Sequence, residues 1–315
     1  MKIKSRTSII VISLFLTLIV AVGGYFSYGY IQTLFADKTW IADLGYKESE
    51  IHKLTFNLSG DGICPQIPVK VGNDEYELGF DTGCGVGISF TDAIQDKIDY
   101  TVLNKAEATN RDGCHRGWIT NVKVNEINVF GDTYKNVNTS ISDWSMYSSQ
   151  KFNGNIGLAY FKSKVITLDY EGHKIAVSSS PIDYAKLDTG KYVVLPLYKT
   201  TTKGQEDLLF FEAEYNSEPI IVYLDTGKNH SYLYNPEINY SIGMGENKRP
   251  TYSNVNLKIA DMDLTLNNIV EANNFKQADG LPYPTMIEMN SDQIWKCNLL
   301  VTVDLIDQKI IFRRL

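Results

Sequence analysis

Apolar and polar positions divide the chain into one long uncharged run and many short alternating ones. Lys2, Lys4 and Arg6 precede a stretch from Thr7 to Ala36 with no charged residue, and its core, Ser8 to Phe26, is almost wholly apolar. About 20 apolar residues cross a bilayer as a helix. Residues 1–36 are therefore expected to form a cytoplasmic tip and a transmembrane signal anchor. The alternative, a cleaved signal peptide, calls for a small-x-small cleavage site that this segment lacks. Positive charge ahead of the span keeps that end in the cytoplasm. The protein is thus expected in the cell membrane, single-pass, with everything after residue 36 extracytoplasmic.

Beyond the anchor the alternation predicts strands, and two strand pairs occur twice. Residues 165–177 read VITLDYEGHKIAV and residues 300–312 read LVTVDLIDQKIIF. Both give apolar-Thr-apolar-Asp-apolar, three variable residues, then Lys-Ile and two apolar positions, the pattern of a strand, a polar turn and a second strand. Upstream, residues 67–83 read IPVKVGNDEYELGFDTG and residues 211–227 read FEAEYNSEPIIVYLDTG. Each strand enters a turn (Gly72-Asn73-Asp74; Asn216-Ser217-Glu218), and a second apolar strand then delivers Asp-Thr-Gly. The upstream pair is offset by 144 residues and the downstream pair by 135. Two ordered matches at nearly one offset predict a duplicated β-rich unit, over 37–185 and 186–315.

Composition supports strands: 20 tyrosines accompany β-branched residues spread along the chain. A formal net charge of −7 without a stripe of Lys or Arg excludes nucleic acid as a partner. Cys64, Cys84, Cys114 and Cys297 form no CxxC, and the four histidines show no ligand spacing, so no zinc site is expected. Outside the cytoplasm these cysteines allow three pairings. No GxSxG elbow, Walker A loop or HExxH is present.

A lone Asp-Thr-Gly carries little weight, and the chain holds a third copy, Asp188-Thr189-Gly190. It follows no apolar strand, so it is read as a turn between the units with Gly190 supplying a positive φ. Asp81 and Asp225 each end a buried-looking strand instead. A carboxylate carried into an apolar interior is costly unless its charge is satisfied. A backbone cap would explain one such aspartate. It would not explain the same tripeptide at the same point of both repeats.

On these motifs the sequence resembles the aspartic peptidases, whose pepsin-like members carry one Asp-Thr/Ser-Gly in each of two lobes. The resemblance covers most of residues 60–315 and implies an all-β, two-lobed acid-protease fold of β-barrel-like lobes, acting as a monomer without metal or organic cofactor. It implies that Asp81 and Asp225 share one proton and activate water against a peptide or protein substrate. Thr82 and Thr226 would exchange hydrogen bonds between lobes, and Gly83 and Gly227 would admit backbone close to the carboxylates. Asn155-Ile156-Gly157-Leu158 is similar to the family's apolar-apolar-Gly element, with Gly157 under the active-site loop. The glycine-rich turn Arg111 to Trp118, ahead of a strand over 119–124, falls where a flap over the cleft is expected; Gly113, His115 and Trp118 are its candidate substrate contacts.

Two departures from the family bear on activity. Cys84 and Lys228 stand after the two tripeptides, where the family has Ser or Ala. Lys228 would either hold both aspartates ionised or carry its ammonium out to water. Cys84 would fit the serine niche or pair with Cys114. Residues 287–298 (IEMNSDQIWKCN) occupy the place of the second apolar-apolar-Gly element yet contain no glycine, so the loop under Asp225 must be built differently. A catalytically silent peptide-binding or sensing protein of the cell envelope is the competing expectation.

Overall fold

The computed structural model describes residues 36–57, 63–84, 87–109, 115–143, 153–238, 240, 248–273 and 279–315. The expected anchor therefore lies outside the described residues, apart from Ala36. Among the described residues no helix is long and apolar enough to cross a membrane.

The chain is all-β, with three multi-stranded sheets and two short α-helices, Thr39–Asp43 and Ser291–Lys296, among the described residues. One eight-stranded sheet comes from the first half of the chain and one from the second. Five consecutive strands match between them. In the first half the order is Cys64–Val71, Asp74–Phe80, Gly154–Ile156, Ile88–Thr91, Asp132–Ser142. In the second it is Leu209–Tyr215, Glu218–Leu224, Met286–Met289, Ser231–Asn235, Ile269–Asn273. The senses also match: antiparallel, parallel, antiparallel, parallel.

Local chemistry accounts for these strands. In Cys64–Val71 the residues Ile67, Val69 and Val71 are buried while Gln66, Pro68 and Lys70 turn outward, the period-two signature of a sheet with one packed face. The hairpin turns are tight: Gly72 takes φ 62° in the first, and Asn216 and Ser217 take φ 52° and 64° in the second, as two-residue β-turns require. Glu218–Leu224 ends in five consecutive buried residues. Val222 and Leu224 face the main core, whereas Ile221 and Tyr223 face a second cluster with Phe210, Tyr232 and Tyr234. Asp225 thus leaves a strand covered on both sides.

The third sheet joins the halves. Its order is Ile51–Lys53, Lys174–Ser178, Val165–Asp169, Leu299–Asp304, Lys309–Arg314, Tyr192–Pro196. The two matching hairpins meet at its centre, where Thr167 lies opposite Thr302 and their hydroxyls bond at 2.7 Å. The repeated aspartates close the hairpin turns: Asp169 accepts from Gly172 N–H (2.7 Å), and Asp304 accepts from Ile306 and Asp307 N–H (2.8 and 2.9 Å).

Residues 36–53 are docked along this sheet, and Thr55–Asn57 then pairs with Cys64–Val71 in the first eight-stranded sheet. Ile51–Lys53 adds the edge strand of the joining sheet, and Trp40, fully buried, donates from its indole N–H to Asp169 at 3.1 Å. Arg313 ties the same segment down through Asp37, Asp43 and Thr39. Asp188 forms an exposed turn and accepts from Gly190 N–H at 2.9 Å. The positive φ expected at Gly190 is not found; the aspartate side chain closes the turn instead. Cys64 and Cys297 are free thiols, which excludes pairings that use either. Cys114, the other partner of a Cys84 tether, lies outside the described residues.

Because Trp40 fills a closed site and satisfies a buried carboxylate, Trp40→Ala should destabilise the protein by about 3–5 kcal/mol. Urea denaturation checks this; a loss below about 1 kcal/mol would mean that residues 36–57 do not belong to the folded unit.

Candidate functional site

Both Asp-Thr-Gly segments follow strand ends and are fixed by the parallel neighbouring strand. Asp81 N–H donates to Ile156 O at 2.9 Å, and Asp225 N–H donates to Met289 O at 3.0 Å. The threonines then reach across. Thr82 N–H donates to Thr226 Oγ1 and Thr226 N–H to Thr82 Oγ1, both at 3.0 Å. In return Thr82 Oγ1 donates to Leu224 O (2.7 Å) and Thr226 Oγ1 to Phe80 O (2.6 Å). A hydroxyl can donate once while accepting, so each threonine satisfies two backbone groups of the other half in a buried setting.

The glycines are required by proximity. A Cβ on Gly83 would collide with the Asp225 carboxyl, lying 2.6 Å from Oδ1 and closer to its other atoms. A Cβ on Gly227 would lie 2.5 Å from both oxygens of Asp81. Each glycine therefore packs beneath the other half's aspartate, while its own N–H donates to the aspartate two residues back, at 2.9 Å for Gly83 and 3.1 Å for Gly227.

The two carboxyls lie close together, each packed over the glycine of the other half, and act directly on each other's protonation. Asp225 is buried and Asp81 partly exposed. Burial and the charge of the neighbouring Asp225 hold the Asp81 carboxyl well above the ordinary carboxylate range. The Gly83 N–H and the Lys228 ammonium pull the other way and do not prevail. Lys228 lies neither against the dyad nor wholly in water. Its Nζ is 4.0 Å from Glu288 Oε1, its side chain is 31% exposed, and it sits 5.7 Å from the Tyr232 ring centre.

Three neighbours escaped the reading of the sequence. Asn155 Nδ2 donates to Asp81 Oδ2 at 3.0 Å, and the Tyr223 hydroxyl donates to Asp225 Oδ2 at 3.2 Å. Strand register explains the exchange of roles. Asn155 lies beside Gly79 and Glu288 beside Tyr223. In the first half the bare glycine leaves room for the amide to reach the aspartate. In the second the tyrosine supplies the donor, and the place of the amide is taken by Glu288.

Asn290 is the third, and it replaces the absent glycine. Gly157 (φ −101°, ψ −179°) and Asn290 (φ −97°, ψ 175°) share one conformation, each capping a short helix. Any residue adopts that backbone; Gly157 is glycine because a Cβ would overlap the Cys84 carbonyl oxygen. Under Asp225 the loop rests on an amide instead. Asn290 Nδ2 donates to Lys228 O (3.2 Å) and Asn229 O (3.0 Å), and its Oδ1 accepts from Ser231 Oγ (2.9 Å) and Gln293 N–H (3.2 Å). Ser291 Oγ adds a bond to Thr226 O at 2.9 Å.

The candidate flap is the hairpin of Tyr100–Thr109 with His115–Val129, whose second strand is longer than the expected 119–124. Trp118 is 57% exposed, and His115 Nδ1 lies 2.6 Å from Glu107. Gly113 lies outside the described residues. Among the described residues no group of three or more His, Cys, Asp or Glu converges on a metal position. No protein-family model matches the chain, and no curated protein is similar to it.

Asn290→Ala removes four hydrogen bonds and leaves two carbonyls short of donors. It should lower stability by about 2–4 kcal/mol, read as a shift of the urea midpoint at unchanged slope. A change within about 0.5 kcal/mol would show that the loop does not rest on this amide.

Proposed function

We propose that the protein is an extracytoplasmic, membrane-anchored aspartic endopeptidase with a two-lobed acid-protease fold, its lobes closing on the dyad Asp81–Asp225. The observation that carries this reading is the pair of carboxyls brought together by equivalent strand ends, each over the other half's glycine, with Asp81 holding its proton above the ordinary range. Like charges this close cannot both ionise cheaply, so the pair keeps one proton between them. The ionised carboxylate takes a proton from water as the oxygen attacks the peptide carbonyl. The protonated partner gives its proton to the carbonyl oxygen, and the dyad then protonates the departing amine. No metal or organic cofactor enters these steps.

The remaining residues take supporting roles. Thr82 and Thr226 hold the carboxyls in register, Gly83 and Gly227 let them meet, and Gly157 supports the Asp81 loop. Trp118 and His115 stand on the hairpin assigned to cover an extended peptide. The N-terminal segment, Lys2 to Ala36, would tether the monomer to the membrane. The pull of Lys228 against the Asp81 proton favours the second reading, a silent peptide-binding member.

Full-length protein in detergent should cleave an unfolded protein between about pH 3 and pH 7, and pepstatin should block it. Asp81→Asn and Asp225→Asn should each abolish cleavage. Peptide binding by the wild type without cleavage would replace the peptidase with the silent reading.

The raised Asp81 value also links the site to stability. An acid whose pKa is raised on folding binds more protons folded than unfolded. Its contribution is full below the unfolded value and is lost as pH rises through the folded one. Asp81→Asn should therefore stabilise the protein more near neutral pH than in acid, which thermal melts at the two pH values would show. An equal effect at both would contradict the shift.

A further inference from the structure

The two halves differ most beside their aspartates. At the position where Asn155 serves Asp81, the second half buries a carboxylic acid, Glu288, at 0% exposure. It lies between Tyr223 and Tyr232 in the sheet, in a largely apolar cluster with Phe210 and Met286. The Tyr234 hydroxyl donates to its Oε2, and the Lys228 ammonium is 4.0 Å from its Oε1. A buried carboxylate calls for hydrogen bonds and a cation; Tyr234 supplies a bond to Oε2, and for Oε1, which accepts no hydrogen bond, the Lys228 ammonium at 4.0 Å is the cation at hand. Resting on the peptidase reading of the dyad, we propose that Glu288 is a positioning residue that binds the Lys228 ammonium as its counter-ion and so lets Asp81 and Asp225 keep their shared proton to higher pH.

A lysine that follows the catalytic tripeptide favours the doubly ionised dyad. Paired with Glu288, its field at the dyad is weakened, although it still pulls against the Asp81 proton, and the Tyr232 ring face holds it further in place. Other titratable groups around the site include Tyr223, Tyr232 and Tyr234 from the flanking strands, the Cys64 thiol from the strand Cys64–Val71, Cys84 after the first tripeptide and His230 after the second. Tyr170 reaches the Thr226 carbonyl through Ser291. Burial lifts Cys64 and Tyr170 far above neutrality, so neither adds charge in the working range. Tyr223 and Tyr234 act as donors. Lys228 is the cation that acts on Asp81, and Glu288 is the buried acid beside it.

The test uses full-length protein in detergent with two readouts. One is the pH profile of kcat/KM on a peptide. The other is the 13C titration of aspartate carboxyls, with Asp81→Asn assigning the dyad. Glu288→Gln keeps the shape but leaves the ammonium to the dyad. The upper dyad pKa and the alkaline limb should fall by about one unit. Lys228→Met should move both upward, and the double variant should return within about 0.3 unit of wild type. An unmoved or raised titration in Glu288→Gln, or a double variant that does not return, overturns the inference. A chain that turns over no peptide yet shows the shifted titrations would refute the peptidase reading and leave the charge pair standing.

Discussion

The reciprocal exchange between Thr82 and Thr226 is the interaction on which the site depends. Each threonine accepts the other's N–H and donates to a carbonyl of the other half. Neither aspartate loop is therefore satisfied by its own half. Separating the halves would leave buried amides and carbonyls without partners, each a penalty of about 1–3 kcal/mol. That cost fixes the relative position of the two strand ends, and the strand ends carry Asp81 and Asp225. The carboxyls are held against each other despite their mutual repulsion because the threonines beside them leave little freedom to part. Gly83 and Gly227 remove the one obstacle, a side chain under the opposing carboxyl.

The same two-fold logic recurs below. Thr167 and Thr302, equivalent in the repeated hairpins, face each other in the joining sheet. Their aspartates, Asp169 and Asp304, close turns rather than meet. Asp169 has been drawn into a further task, holding the Trp40 indole. Duplication supplied paired positions. Which pairs became a site was decided by where the strands end.

Much of this was legible in the sequence because it is local. The strand–turn–strand frames, the choice of Asp81 and Asp225 over Asp188, and the absence of a second glycine all lie in short segments whose periodicity can be compared directly. What was not legible depends on register between distant strands. Asn155 and Glu288 stand at equivalent places, but their offset is 133 residues, against 144 for the aspartates. Intervening changes in loop length hide the match. Asn290 looked like a missing glycine because its compensation lies in four side-chain bonds to residues 228, 229, 231 and 293. The docking of Trp40 on Asp169 joins residues 129 apart, beyond the reach of any pattern in the segment 36–57 itself.

A duplicated site need not be symmetric in its electrostatics, and here the asymmetry is confined to one shell. Each aspartate accepts a glycine N–H at Oδ1 and one side-chain donor at Oδ2, an amide for Asp81 and a phenol for Asp225. Donors of this kind favour the ionised form on both sides, so they do not by themselves decide how long the pair keeps its proton. Burial and mutual repulsion hold the proton on; a nearby cation would take it off. Lys228 of the second half is the lysine whose charge acts on Asp81, and the same half buries Glu288 4.0 Å from it. The frame brings the aspartates together, but the lysine and the buried carboxyl beside the second one have no counterpart at the equivalent positions of the first half, Cys84 and Asn155.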